Sequence, residues 1–174
     1  MNLSYPIGKF TAPENITNEH IEQWIAEIEG APARYKQAVQ DLKDEQLDTP
    51  YRPEGWTVRQ VIHHMPDSHM NSYIRFHWAL TEESPTIKAY DEAGWANLDY
   101  QKHVSIEVSL QLLNFIHTRW VILLKHMSQS DFQKTFVHPQ SGRTMRLDWV
   151  TGLYAWHSQH HLAHIEKLKE RMNW

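Results

Sequence analysis

The chain has 174 residues, a formal net charge of −4 and no cysteine. That length suits one domain over 1–174 with a core that needs no staples, and lack of cysteine excludes disulfides, thiolate metal ligands and a cysteine nucleophile. Scattered basic residues give no footprint for nucleic acid, the longest apolar run, Trp120 to Leu124, is far too short to cross a bilayer, and MNLSYPIGKFTAPEN lacks the pattern of a signal peptide, so the expected setting is cytoplasmic, with no membrane partner.

Ile21, Trp24, Ile25 and Ile28 recur at helical spacing, with Thr17 as cap and His20 at the third helical position. Gly30 and Pro32 predict a break, after which Tyr35, Val39 and Leu42 resume the pattern in a second segment. Residues 44–56, DEQLDTPYRPEGW, read as an ordered connector. A long helix is expected from Thr57, a capping residue, to about Leu80, with Val58, Val61, Ile62, Met65, Met70, Tyr73, Ile74 and Phe76 as its apolar surface. Residues 81–92 form a loop and 92–100 a short helix. Ser105 or Ser109 opens another long helix through Leu112, Leu113, Ile116, Trp120, Leu123, Leu124 and Met127. The short alternating arms around Pro-Gln-Ser-Gly in 132–149 predict a hairpin or extended excursion. A last helix spans about Asp148 to Met172. The fold class is therefore all-α: a four-helix bundle with a small hairpin or extended crossover before the last helix, an architecture that builds metal sites from inward-facing side chains.

Thirteen histidines and eight tryptophans are the anomalies of the composition. WHSQHHLAHI, 156–165, places four histidines in eight consecutive positions. On a helix, residues at i and i+4 share a face, a condition met by His157 with His161 and equally by His160 with His164. Two imidazoles one turn apart can reach one ion, as in the H-E-x-x-H helices of zinc enzymes. A third ligand must come from elsewhere, and WTVRQVIHHMPD, 56–67, offers His63 and His64, with Asp67 one turn after His64. Spacing leaves open which of the two contributes, and which C-terminal pair. An H-x-x-x-H pair is also often a plain polar face. Met65 and Met70 read as core filler. The isolated His20, His77, His103, His117, His126 and His138 read as surface or capping residues, and the tryptophans as packing anchors, some of which line a pocket or an oligomer interface.

Three long stretches, NLSYPIG (2–8), LDTPYRPEGWTVRQVIHHMPDSHMNSYIRF (47–76) and GLYAWHSQHHLAHI (152–165), make the chain resemble the DinB/YfiT-like family of metal-dependent hydrolases, four-helix-bundle proteins, and within it the YfiT-like members of Bacillus-type bacteria. The resemblance spans essentially the whole chain. The family pattern of a Trp-Ser/Thr-x6-His arrangement counts from Trp56 to His64, and its C-terminal His-x3-His pair matches His157 and His161. The resemblance thus implies a triad of His64, His157 and His161, and the frequent glutamine at the place of His164 in relatives speaks against the His160/His164 pair. Pro66 departs from the pattern, since relatives carry a small helix-compatible residue there. It removes the hydrogen bond to the Ile62 carbonyl and is expected to kink the helix two residues from His64.

Three neutral imidazoles favour a borderline ion such as Zn²⁺, with Ni²⁺ as alternative, one per subunit, over the oxygen-seeking Mg²⁺ or Ca²⁺. Three protein ligands leave coordination positions open, the catalytic pattern, and a water there becomes a nucleophile near neutral pH. Asp67 is expected to orient an imidazole or act as base, and His160 is a candidate proton relay. Three functions follow. The first is hydrolysis of an ester, amide or similar bond in a small-molecule substrate, as the YfiT-like resemblance implies. The second, implied by related DinB-like proteins, is S-transfer from a low-molecular-weight thiol such as bacillithiol, whose carboxylates would call for Arg59, Arg75 or Arg119 near the pocket. The third is a stress-associated metal-binding protein without turnover. The resemblance also implies a homodimer, for which a bundle rich in Trp, Tyr and Met can spare an apolar face.

Overall fold

A computed structural model describes residues 3–174. Four long helices form the body: α1 (Asn18–Val39), α3 (Val58–Thr81), α5 (Ile106–His126) and α7 (Leu147–Met172). Between them lie the short helices α2 (Asp44–Leu47), α4 (Glu92–Ala96) and α6 (Gln129–Phe132), a 3₁₀ turn at Asp99–His103, and an antiparallel hairpin of β1 (Thr135–His138) and β2 (Arg143–Arg146). The hairpin pairs Thr135 with Arg146 and His138 with Arg143. Helix α1 packs against α7 and α5, and α3 against α5 and α7. None of the described helices is long and apolar enough to cross a membrane.

The helix starts follow the sequence. Thr17 and Thr57 each accept a hydrogen bond from the third backbone N–H of their helix, while His20 and Gln60 bond back to the cap N–H. Ser105, not Ser109, caps α5. The connector 44–56 is ordered as expected but contains the single turn α2.

One expectation fails at a proline. Gly30 and Pro32 do not divide α1, which runs unbroken through both. Helix α3 likewise runs on through Pro66. In each case the ring lies buried in the bundle, so packing outweighs the lost helix bond, and the carbonyl four residues back is left without its helical partner.

The core is layered along the bundle. One apolar cluster gathers Ile21, Ile25, Ile28, Phe76, Trp120, Leu124, Leu147 and Tyr154. A second gathers Tyr35, Val39, Val61, Ile62, Leu113, Leu162 and Ile165. Between them in sequence, on three different helices, fall His69, His117, His157 and His161, so the midsection of the bundle is a layer of imidazoles. Gly152 of α7 permits a close approach at one end: a Cβ there would lie 2.8 Å from the Trp24 ring and 2.9 Å from Phe10.

Candidate metal centre

Helix α3 carries His64 and helix α7 carries His157 and His161, the last two one turn apart and therefore on one face. One ring nitrogen from each lies within 4.8 Å of the other two, a grouping that could hold a metal ion. The Nε2 atoms of His64 and His157 stand 3.4 Å apart. Two nitrogens each about 2.1 Å from a tetrahedral zinc are themselves separated by about 3.4 Å, so the spacing fits such an ion. The His161 Nδ1 atom is buried without a hydrogen-bond partner, an unsatisfied lone pair or N–H of the kind that a ligand or second group completes. Trp56 lies tilted over His64 at 4.7 Å between ring centroids and stacks on His161 at 6.1 Å, holding both rings against rotation.

Burial sets the electrostatics. It pushes His64 down to about 4. His157 and His161 are held well below the ordinary imidazole value by burial first, and then by the neighbouring rings. All three are thus neutral at physiological pH and have lone pairs to offer.

The rings that spacing could not tell apart point in different directions. The His63 ring turns away to Ser109, its Nδ1 lying 2.7 Å from Oγ. His160 and His164 face one another, Nε2 to Nε2 at 3.1 Å, with His160 stacked on Trp156 and His164 on Tyr51. They form a pair of their own beside the cluster. Asp67, expected beside an imidazole, makes no hydrogen bond to any described histidine of the cluster. It lies instead by Gln101, and burial raises its carboxyl to about 6.

The three arginines separate cleanly. Arg59 is tied to Asp44 and Asp48 at 2.9 and 2.7 Å, alongside a different cavity that His63 also lines. Arg119 lies on the surface over the Tyr73 ring. Only Arg75 enters the histidine neighbourhood. It is buried, its Nε has no partner, and its one hydrogen bond is a long 3.4 Å contact to the Lys88 carbonyl. With Ser68, Tyr90, His138, Tyr154 and His157 it lines a cavity of about 510 Å³, whose rim includes Asp91 and Glu92. The Tyr90 hydroxyl lies by Ser68 but makes no hydrogen bond of proper geometry, and the His138 Nδ1 is likewise unpartnered.

Sequence reading missed one residue and misplaced two. His69 drew no expectation, and His117 was expected at the surface. Both are essentially inaccessible, at 0 % and 1 % exposure. His69 Nε2 lies 3.2 Å from His157 Nδ1, and His117 Nε2 lies 2.8 Å from His69 Nδ1. His138, expected at the surface, is half-buried in the cavity wall. The apolar spacing of α5 does place position 117 among Leu113, Ile116, Trp120 and Leu124, a signal that could have exposed the error.

With the geometry in place, relatives can be set beside it. A Bacillus mycoides (strain KBAB4) protein bearing the name of a metal-dependent hydrolase is 55% identical over 173 residues, 99% of each chain. A Bacillus cereus (strain B4264) protein so named is 54% identical over the same length and shares. Among solved structures, YfiT from Bacillus subtilis, described as a probable metal-dependent hydrolase with an unusual four-helix bundle topology, superposes with a TM-score of 0.97 at 50% identity, covering 100% of this chain and 99% of that one. The mycothiol-dependent maleylpyruvate isomerase shares the fold alone, with a TM-score of 0.60 at 18% identity over 80% of this chain and 60% of that one. The DinB superfamily profile matches residues 27–165, a stretch that holds all three converging histidines. The four-helix bundle is shared with YfiT, and the chain belongs to the DinB superfamily.

Proposed function

We propose that this protein is a metal-dependent hydrolase of a small-molecule substrate, with one Zn²⁺ per subunit, or Ni²⁺ in its place, held by His64, His157 and His161. The observation that carries the reading is the convergence of three imidazoles from two helices beside a cavity that His157 itself lines. The names borne by relatives more than half identical over nearly the full length support it. A borderline divalent cation held by these three neutral imidazoles would supply Lewis acidity near neutral pH.

The protein's own groups do the rest. Burial keeps the three rings unprotonated, and Trp56 fixes the planes of two of them. Arg75, a buried cation with an unpartnered donor, receives an anionic part of the substrate in the cavity.

A second reading has one specific observation behind it. The same Arg75 beside His157 suits the carboxylates of a low-molecular-weight thiol, so S-transfer is the alternative chemistry at the same site. The two readings, and a protein without turnover, separate in one set of measurements. Zinc content should fall to near zero in each of His64→Ala, His157→Ala and His161→Ala; a variant that keeps its metal removes that ligand from the proposal. Zinc-loaded protein should hydrolyse model esters without added thiol. Consumption of an electrophile such as monochlorobimane only in the presence of bacillithiol would replace hydrolysis by transfer, and silence in both assays would leave a binding protein.

For assembly we propose a homodimer. Val108, Phe115 and Ile122 repeat every seven residues along α5 and are 57%, 64% and 55% exposed, with Leu112 between them. An apolar stripe at that period is the seam a second copy of the same helix fits.

A further inference from the structure

The imidazole layer continues past the cluster, and its far end explains its near end. His117 Nδ1 stands 2.6 Å from the backbone carbonyl of Ile28. A carbonyl oxygen only accepts, so this nitrogen carries the hydrogen. In a neutral ring the other nitrogen is then bare, and His117 Nε2 accepts from His69 Nδ1 at 2.8 Å. His69 Nε2 is bare in turn and accepts from His157 Nδ1 at 3.2 Å. His157 Nε2 is left as a lone pair, and that is the atom that faces His64 Nε2. Reversing any one ring would set two lone pairs, or two N–H groups, against each other in the buried interior. The whole sequence of donors is therefore dictated by one carbonyl.

That carbonyl is free for a reason written in the sequence. Ile28 lies four residues before Pro32, which has no N–H to donate, so the helical bond that would ordinarily occupy the Ile28 oxygen is missing. The proline that α1 tolerates in its interior hands the carbonyl to His117 across the bundle.

We propose that His69 and His117, anchored on the Ile28 carbonyl released by Pro32, are positioning residues that lock His157 as its Nδ1–H tautomer and so present Nε2 to the metal. The inference rests on the metal site proposed above for His157. A ligating histidine whose other nitrogen donates to a fixed acceptor is held in tautomer and orientation, and removal of such a partner typically weakens metal affinity by about 10–100-fold. Here the partner is not a carboxylate or a water but a second and a third imidazole, which span the bundle from α7 through α3 and α5 to α1.

The test is read first in the metal-free protein, by ¹⁵N–¹H correlation of histidine ring nitrogens. In the unaltered chain His157, His69 and His117 should each show a single tautomer with Nδ1 protonated. His117→Phe keeps a flat buried ring but removes the acceptor for His69; in it His157 should become a tautomer mixture, and zinc affinity measured against a chelator should fall by about 10-fold or more. An Nε2–H tautomer of His157 in the unaltered chain overturns the proposal, even if the variant does not fold. So does a His117→Phe protein that keeps both the pure tautomer and the full affinity. Failure of the unaltered chain to bind zinc, with the tautomer order intact, would refute the metal site and leave the locked His157 standing.

Discussion

Acid should destabilise the metal-free protein well above the pH at which its carboxylates titrate. His64 and His117 are almost fully buried, and each is pushed down to about 4 from the ordinary 6.5, in both cases chiefly by burial. The unfolded chain therefore binds more protons than the native one between 6.5 and about 4. Stability is complete above 6.5 and drains away as the pH falls through that window. For one ring with these two values the loss between pH 8 and pH 5 is about 2 kcal/mol, or about 4 kcal/mol for the pair. Asp67 works in the opposite sense: raised from 3.8 to about 6 by burial, it binds its proton more readily in the native state and returns stability on acidification. It is half-buried, and after solvent screening that return is at most about 1 kcal/mol. The net loss of about 3 kcal/mol is large against a typical total of about 5–15 kcal/mol. With a urea slope of about 2 kcal/mol/M it moves the unfolding midpoint down by about 1.5 M. His69, His157 and His161 are pushed in the same direction and add to the loss. Urea titrations at pH 8, 6.5 and 5 in the presence of a chelator measure it. A midpoint that stays level over that range, or rises toward pH 5, would refute the neutral imidazole layer.

Three further outcomes follow from single contacts. Arg75→Ala should leave zinc content intact and raise KM for an anionic substrate by about 10–100-fold, as expected for a lost charge-assisted hydrogen bond; an unchanged KM would remove Arg75 from the cavity's function. Phe115→Glu puts a charge in the middle of the exposed α5 stripe, and sedimentation at micromolar concentration should show a dimer for the unaltered chain and a monomer for the variant. Gly152→Ala drives a methyl group to within 2.9 Å of Trp24 and Phe10, and calorimetry should register a destabilisation of about 1–3 kcal/mol, typical of overpacking.

Much of the site was legible along the chain, for reasons that differ by residue. Thr17 and Thr57 announced their helices because capping chemistry is local and needs only the next three residues. The His-x3-His face of α7 was visible for the same reason, since helical spacing fixes which side chains share a side. Periodicity could not choose between His157/His161 and His160/His164, because both pairs satisfy it. Only the resemblance to a known group pointed to the pair that the fold brings toward His64. Local rules misjudged Pro32, because the loss of one helix bond is a local effect and burial of the ring is not.

The sequence by itself determined the all-α class, the Thr17 and Thr57 caps and the set of histidines from which a metal site could be drawn, since each rests on interactions spanning a few residues. Tertiary structure alone decided what the remaining imidazoles do. His117 meets Ile28 across 89 positions of chain, and His69 meets His157 across 88, contacts that exist only once α1, α3, α5 and α7 have packed. A ring nitrogen becomes donor or acceptor according to the atom it faces, and the packing of the bundle chooses that atom.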